Sequence, residues 1–219
     1  MILRHTLLVC LFACFFIEST VAQTAVNDQK AKDILNKVSA KYKAYKTIRA
    51  VFIQKIENPA QKTSDQLTGT IFIKGNKYKV DLNSQEIICD NTTIWTYLKD
   101  SKEVQINTYE PDASTISPDQ IFNIYQKDFL FSFNSETTVN GVVTEVIDLT
   151  PTDKNKPYFK VRLNIGKNDN AINSAVFMFK DGKKYTFEIQ KLVPDLVLND
   201  SFFSFDPKQY PGINVEDLR

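Results

Sequence analysis

The chain has 219 residues, with 27 basic against 26 acidic and a formal net charge of +1. That balance excludes the basic stripe of a nucleic-acid binder, and the 42% hydrophobic fraction is ordinary for a globular fold. The single histidine, His5, and two of the three cysteines, Cys10 and Cys14, fall in the first 22 residues; the rest has no histidine for general-base, triad or metal chemistry and no second cysteine with which Cys89 could form a disulfide.

Arg4 and His5 precede a mostly apolar run from Thr6 to Ile17, and the small side chains of "STVA" follow. This reads as a secretory signal peptide cut after Ala22, too short to span a bilayer comfortably. "LFAC" (Leu11 to Cys14) weakly resembles a lipoprotein cleavage box, but Phe12 is bulky there and the apolar run continues through Phe15, Phe16 and Ile17. The expectation is a signal peptide over 1–22 and one exported, soluble domain over 23–219.

Residues 27–45 read as a helix. Ala31, Ile34, Leu35, Val38 and Tyr42 recur at three and four, Asn27 or Asp28 can cap the start, and Lys30, Lys32, Lys37, Lys41 and Lys43 lie mainly on the other side. The plain reading is a helix lying on a sheet; the sharper one makes Ile34, Leu35 and Val38 part of a lid over a ligand. Strands follow at Ile48–Ile56, at Leu67–Lys74 and Lys77–Leu82 around Gly75-Asn76, at Glu86–Cys89 and Thr93–Leu98 around Asp90-Asn91, and at Glu103–Thr108. Ser117 and Pro118 then open a second short helix carrying Ile121, Phe122, Ile124 and Tyr125, with 109–118 and 127–136 expected as mobile loops. The sheet resumes at Thr137–Val139 and Val142–Thr150 around Asn140-Gly141. Next comes 158–166, with Phe159, Val161, Leu163 and Ile165 on one face, and a last hairpin of 171–180 and 183–192 about Asp181-Gly182.

Ten or eleven strands in consecutive hairpins, with two or three short helices, predict a mainly β (α+β) single domain. Twist accumulates across so many strands, so the sheet is expected to curl into an incomplete antiparallel barrel wider than its side chains fill. Ile71, Ile73, Tyr78 and Val80 are expected to line the apolar cavity, with Trp95 and Phe122, beneath a lid of Ile34, Leu35, Val38, Ile121 and Tyr125. No phosphate loop, nucleophile elbow, carboxylate pair or metal spacing is present, so no catalytic set, cofactor or metal is expected. Asn91-Thr92-Thr93 fits the glycosylation sequon, a pattern frequent enough to arise by chance.

In order along the chain, "FIQKI", "GTIFIKGNKYKVDL", "EIICDNTTIWTYLKDSKEVQI" and "DSFFSFDPKQYPGINVEDL" resemble the LolA family of outer-membrane lipoprotein carriers, from about Asn27 to Leu218. The resemblance implies eleven antiparallel strands with a helical lid. It also implies a monomer that takes acylated lipoproteins from an inner-membrane ABC releasing complex and passes them to an outer-membrane receptor. The family's lipid-handling aromatic matches Tyr78. Its lid-closing arginine has no match, because "Lys74-Gly75-Asn76-Lys77-Tyr78" is one residue shorter, which leaves Lys74 or Lys77 as the lid clasp. Two other readings are a carrier of a different acylated cargo and a lipoprotein-sensing module; a carboxylate hydrolase is a third.

Overall fold

The computed structural model describes residues 20–110, 129–139 and 141–219, with side chains from Gln29 onward except that of Val139. The leader up to residue 19, the second-helix residues Ile121, Phe122, Ile124 and Tyr125, and Asn140 lie outside the described residues.

Among the described residues one α-helix, α1 (Thr20–Lys43), precedes twelve strands: β1 (Ile48–Asn58), β2 (Thr63–Lys74), β3 (Lys77–Leu82), β4 (Gln85–Cys89), β5 (Thr93–Leu98), β6 (Glu103–Thr108), β7 (Phe129–Val139), β8 (Val142–Pro151), β9 (Tyr158–Gly166), β10 (Ile172–Phe179), β11 (Lys184–Pro194) and β12 (Asn214–Asp217). All twelve form one sheet in the order β12-β6-β5-β4-β3-β2-β1-β11-β10-β9-β8-β7. Two meanders, β1–β6 and β7–β11, are therefore sewn together where β1 pairs antiparallel with β11. The sheet is not closed: its edge strands are β12 and β7. This is the incomplete barrel expected, with one strand more.

Period-two alternation places the two faces. Ile71 and Ile73 on β2 stand opposite Val80 and Tyr78 on β3, and those stand opposite Ile87 and Cys89 on β4. All six belong to one core on the concave side, with Ile147 and Leu149 of β8, Val161, Leu163 and Ile165 of β9, and Ile172, Ala175 and Phe177 of β10. The face of α1 that joins this core is the one the spacing predicts: Ala31, Ile34, Leu35, Val38 and Tyr42 are all buried. Most of that helix's stability comes from this contact, because its lysine-rich remainder contributes little by itself.

Several expectations are corrected. The helix begins by Thr20 and runs through Asn27 and Asp28, so neither caps it; nothing in "VAQTAVNDQ" is a glycine or proline that would stop it. Residues 129–136, read as loop, are the first part of β7; the spacing of Phe129, Phe131 and Phe133 is strand spacing. Phe159 does not face inward. A register shift between Met178 and Phe179 pairs Phe179 with Tyr158 and Met178 with Lys160, which leaves Phe159 as the bulged residue. Tyr158 takes the inward position at 2% exposure, while Phe159 is 49% exposed. After β11 the chain does not return to the meander; it crosses the convex face and ends as β12, which pairs parallel with β6.

Candidate functional site

The concave face is mostly apolar, with Glu136 and Glu145 at its β7–β8 side, and it is not equally covered. The second half of α1 lies against the turn joining β9 to β10: Ile172 N–H donates to the Tyr42 hydroxyl at 3.0 Å, and Lys41 Nζ donates to the Asp169 carbonyl at 2.6 Å. Burial pushes the Tyr42 phenol up to about 12, against the opposing pull of the Ile172 bond. Further toward its N-terminus, Lys30 Nζ sits 3.5 Å from the centroid of the Phe133 ring. The helix thus plugs one end of the curved sheet.

Toward the other end of the same strands the concave side chains are only half-buried: Phe129 and Phe131 on β7, Phe179 on β10, Tyr185 and Phe187 on β11, and Leu67 on β2. The rings meet one another. Phe129 stacks on Tyr158 with centroids 6.4 Å apart, Tyr158 meets Phe179 edge-on at 6.1 Å, and Phe179 meets Tyr185 at 4.5 Å. The result is a continuous aromatic band of polarisable surface whose tyrosine hydroxyls are its polar groups, suited to apolar chains of no particular shape. The sequence reading missed this band because it took Phe129, Phe131 and Phe133 as loop; their alternation was the available sign.

Of the residues singled out beforehand, Ile71, Ile73, Tyr78 and Val80 are brought together on the concave face with Ile34, Leu35 and Val38 of α1, all between 3% and 6% exposed except Val38, which is fully buried. They form the wall behind the band, packed against the helix. Phe122, Ile121 and Tyr125 fall outside the described residues. Trp95 is not on this wall. It pairs with Ile88 and Ile106 on the opposite face and packs in a second cluster with Val104, Phe205, Tyr97, Tyr210 and Ile213. Cys89 and Ile94 face inward on these strands, so Trp95, one residue from Ile94, must face outward.

Lys74 and Lys77 are likewise corrected. Each is one residue from an inward side chain, Ile73 or Tyr78, and so projects to the convex face rather than toward α1. There they hold the segment that follows β11. Lys74 Nζ donates to the Leu198 carbonyl and to Asp200 Oδ1, both at 2.8 Å, and Lys77 Nζ donates to Asp200 Oδ2 at 3.1 Å. Hydrogen bonds from the two lysines hold the Asp200 carboxyl below its usual range. The same segment is tied at its start by Thr47 Oγ1, which donates to the Leu196 carbonyl at 2.8 Å, and by Asp195 N–H, which donates to the Thr47 carbonyl. Beyond Asp200, Phe202 meets Phe72 edge-on at 5.0 Å and Phe203 is fully buried; Phe205 and Tyr210 then stack at 4.6 Å beside Tyr97. The two lysines are therefore a clasp for a C-terminal strap.

Among the described residues no group of three His, Cys, Asp or Glu is arranged to hold a metal. The best-organised charge cluster is on the convex side. Asp148 accepts from Arg162 Nε and Nη2 at 2.7 and 2.9 Å, from Lys160 at 3.3 Å and from Asn134 at 3.1 Å. Both carboxylate oxygens are engaged, which fits a strand-to-strand tie better than a reactive group.

The sequence model for "Outer membrane lipoprotein carrier protein LolA" matches residues 43–206, which takes in every strand from β1 to β11 and most of the strap. A comparison with curated protein sequences finds no match. Among solved structures, an uncharacterised conserved protein from Thermus thermophilus superposes with a TM-score of 0.56 at 13% identity, covering 85% of this chain and 98% of that one. A DUF1329-family protein from Desulfovibrio piger gives 0.51 at 12% identity, over 81% and 97%. A LolA-superfamily protein from Nitrosomonas europaea gives 0.45 at 15% identity, over 80% and 98%. At such identities the first two relate the fold and nothing finer.

Proposed function

This chain belongs to the LolA family of outer membrane lipoprotein carrier proteins, and we propose that it binds the acyl chains of lipoproteins on the concave face and carries them across the periplasm from inner to outer membrane. The observation that supports this reading best is the half-buried aromatic band of Phe129, Phe131, Phe179, Tyr185 and Phe187 beside a helix-covered apolar wall. A buried methylene contributes about 0.8 kcal/mol, so a long acyl chain in water costs on the order of 10 kcal/mol. Dispersion contact with rings and branched side chains recovers much of that without locking one geometry, and a helix packed on the wall supplies a closed unloaded state. Loading from an inner-membrane ABC complex and unloading at an outer-membrane receptor are part of the same proposal, as is export by the leader over 1–22. No described helix is long and apolar enough to cross a membrane. The chemistry asked of the site is binding rather than catalysis.

The test is mass spectrometry of what co-purifies with the tagged protein from periplasm. Di- or triacylated lipoprotein is expected; recovery of unmodified soluble proteins alone would refute the proposal. Tyr78→Glu, which puts a carboxylate into a wall position only 4% exposed, is expected to abolish loading. Normal loading of that variant would remove Tyr78 from the site.

A further inference from the structure

Between α1 and β8 lies a groove of about 450 Å³, lined by Gln29, Lys30, Asp33, Ile34, Lys37 and Glu145. Glu145 is its unusual member. It faces the concave side directly across from Glu136 of β7, yet it is only 7% exposed. Lys167 Nζ neutralises Glu136 with bonds of 3.0 and 2.9 Å. Among the described residues the Glu145 carboxylate accepts no hydrogen bond and makes no ion pair, although Lys167, which is bonded to Glu136, feels its charge. Lys30, one of the two lysines lining the same groove, is instead seated on the Phe133 ring, and Asp33 accepts from Gln29 at 2.9 Å. Lys37 is exposed at the rim and carries no ion pair among the described residues. A buried carboxylate without a donor is unfavourable, and a cation brought to it regains a charge-assisted bond in a partly dehydrated setting. The groove therefore offers a deep anion and a free cation at its lip, and Ile34 joins it to the apolar core.

We infer that this groove binds a zwitterionic head group of the phosphoethanolamine type, its ammonium on Glu145 and its phosphate on Lys37. The inference extends the carrier reading, because it supplies a polar anchor beside the apolar face. The shared chemistry can arrive on a phospholipid or as a free small zwitterion, and a calorimetric titration of the purified protein separates the two. The probes are lysophosphatidylethanolamine, its N-acetylated form, a monoacylglycerol with the same acyl chain, and glycerophosphoethanolamine, which has no chain.

The ethanolamine lysolipid is expected to bind about tenfold tighter than its N-acetylated form, the effect of one bond to a charged partner. Glu145→Gln should bring the two to parity and leave monoacylglycerol binding unchanged. Lys37→Gln, at an exposed position, should weaken both phosphate-bearing lysolipids and not the monoacylglycerol. Saturable binding of glycerophosphoethanolamine that Glu145→Gln removes would assign the site to the free zwitterion. Equal affinities for the amine and its N-acetyl form, or a preference that survives Glu145→Gln, would overturn the inference. Failure of the monoacylglycerol to bind would count against the acyl-binding face instead, since the chain-free probe reads the groove alone.

Discussion

Gly69 lies where β2 passes between Phe52 of β1 and Leu82 of β3, its direct partners across the sheet. A Cβ built there would stand 2.6 Å from Leu82 Cδ2, 2.6 Å from Phe52 Cζ and 2.9 Å from Phe52 Cε1. Gly69→Ala therefore sets two effects against each other. Replacing a strand glycine by alanine removes unfolded-state entropy and gains about 0.5–1 kcal/mol, whereas overpacking a filled core costs about 1–3 kcal/mol. Leu82 is half-buried and its terminal methyl can swing away. Phe52 is 8% exposed and backed by Phe187 with ring centroids 6.2 Å apart, so its ring is penned in. The clash with Phe52 should win, for a net loss of about 1 kcal/mol, or about 2–4 °C in Tm for a domain of this size. Thermal unfolding followed by circular dichroism measures this in four proteins: the parent, Gly69→Ala, Phe52→Leu and the double variant. Because the cost is assigned to one ring, the double variant should be more stable than the sum of the singles requires. A Gly69→Ala protein as stable as the parent, or strictly additive losses, would refute the reasoning.

Three further outcomes are expected. Phe131→Ser should weaken binding of a fluorescent fatty acid roughly tenfold, the effect of withdrawing part of one aromatic side chain's burial, with little change in Tm; unaltered affinity would take the aromatic band out of the site. Asp200→Asn should release the strap from Lys74 and Lys77 and speed limited proteolysis within 195–213; unchanged cleavage would mean that the aromatic contacts hold the strap without the clasp. Asp148 provides the pH dependence. Burial raises its pKa, but the bonds from Arg162 and Lys160 prevail and hold the carboxyl below its ordinary value. A group depressed in the folded state stabilises above its unfolded pKa of about 3.9 and loses that contribution as pH falls through the folded value. Chemical denaturation of the parent should therefore weaken more steeply below about pH 4 than that of Asp148→Asn; parallel curves would contradict the assignment.

Local pattern was enough for much of the fold. The strands around Gly75 and Asp90-Asn91 alternate without interruption, and their turns carry left-handed residues, Gly75 at φ 59° and Asn91 at φ 80°, so register and inward face follow from the sequence. The apolar stripe of α1 is equally plain. What alternation does not reveal is a slip in pairing. The bulge at Phe159 exchanges the roles of two adjacent aromatics, and nothing in "PYFKV" marks which one pairs. Trp95 was ambiguous for a related reason: β5 has large side chains on both faces, Ile94 and Leu98 on one and Trp95 and Tyr97 on the other, and only the strap, from a distant part of the chain, makes the outer face a core. The clasp by Lys74 and Lys77 is hidden in the same way, since its acceptors lie 124 and 126 residues from Lys74. The strap has no periodicity to read and is held by isolated rings and ion pairs. Resemblance supplied the architecture more surely than the residues that tie it down.

The seam between β1 and β11 has a kinetic consequence. It joins stretches from opposite ends of the domain: Thr47, just before β1, bonds to a residue 149 positions away, just after β11. Closing so long a loop must precede the pairing that rewards it, so this seam should form late and make refolding slow. Until it forms, neither run of hairpins has the other's apolar surface to lean on. A half-made molecule would thus be a pair of sticky ribbons with no enclosed wall, prone to self-association and unable to hold a guest.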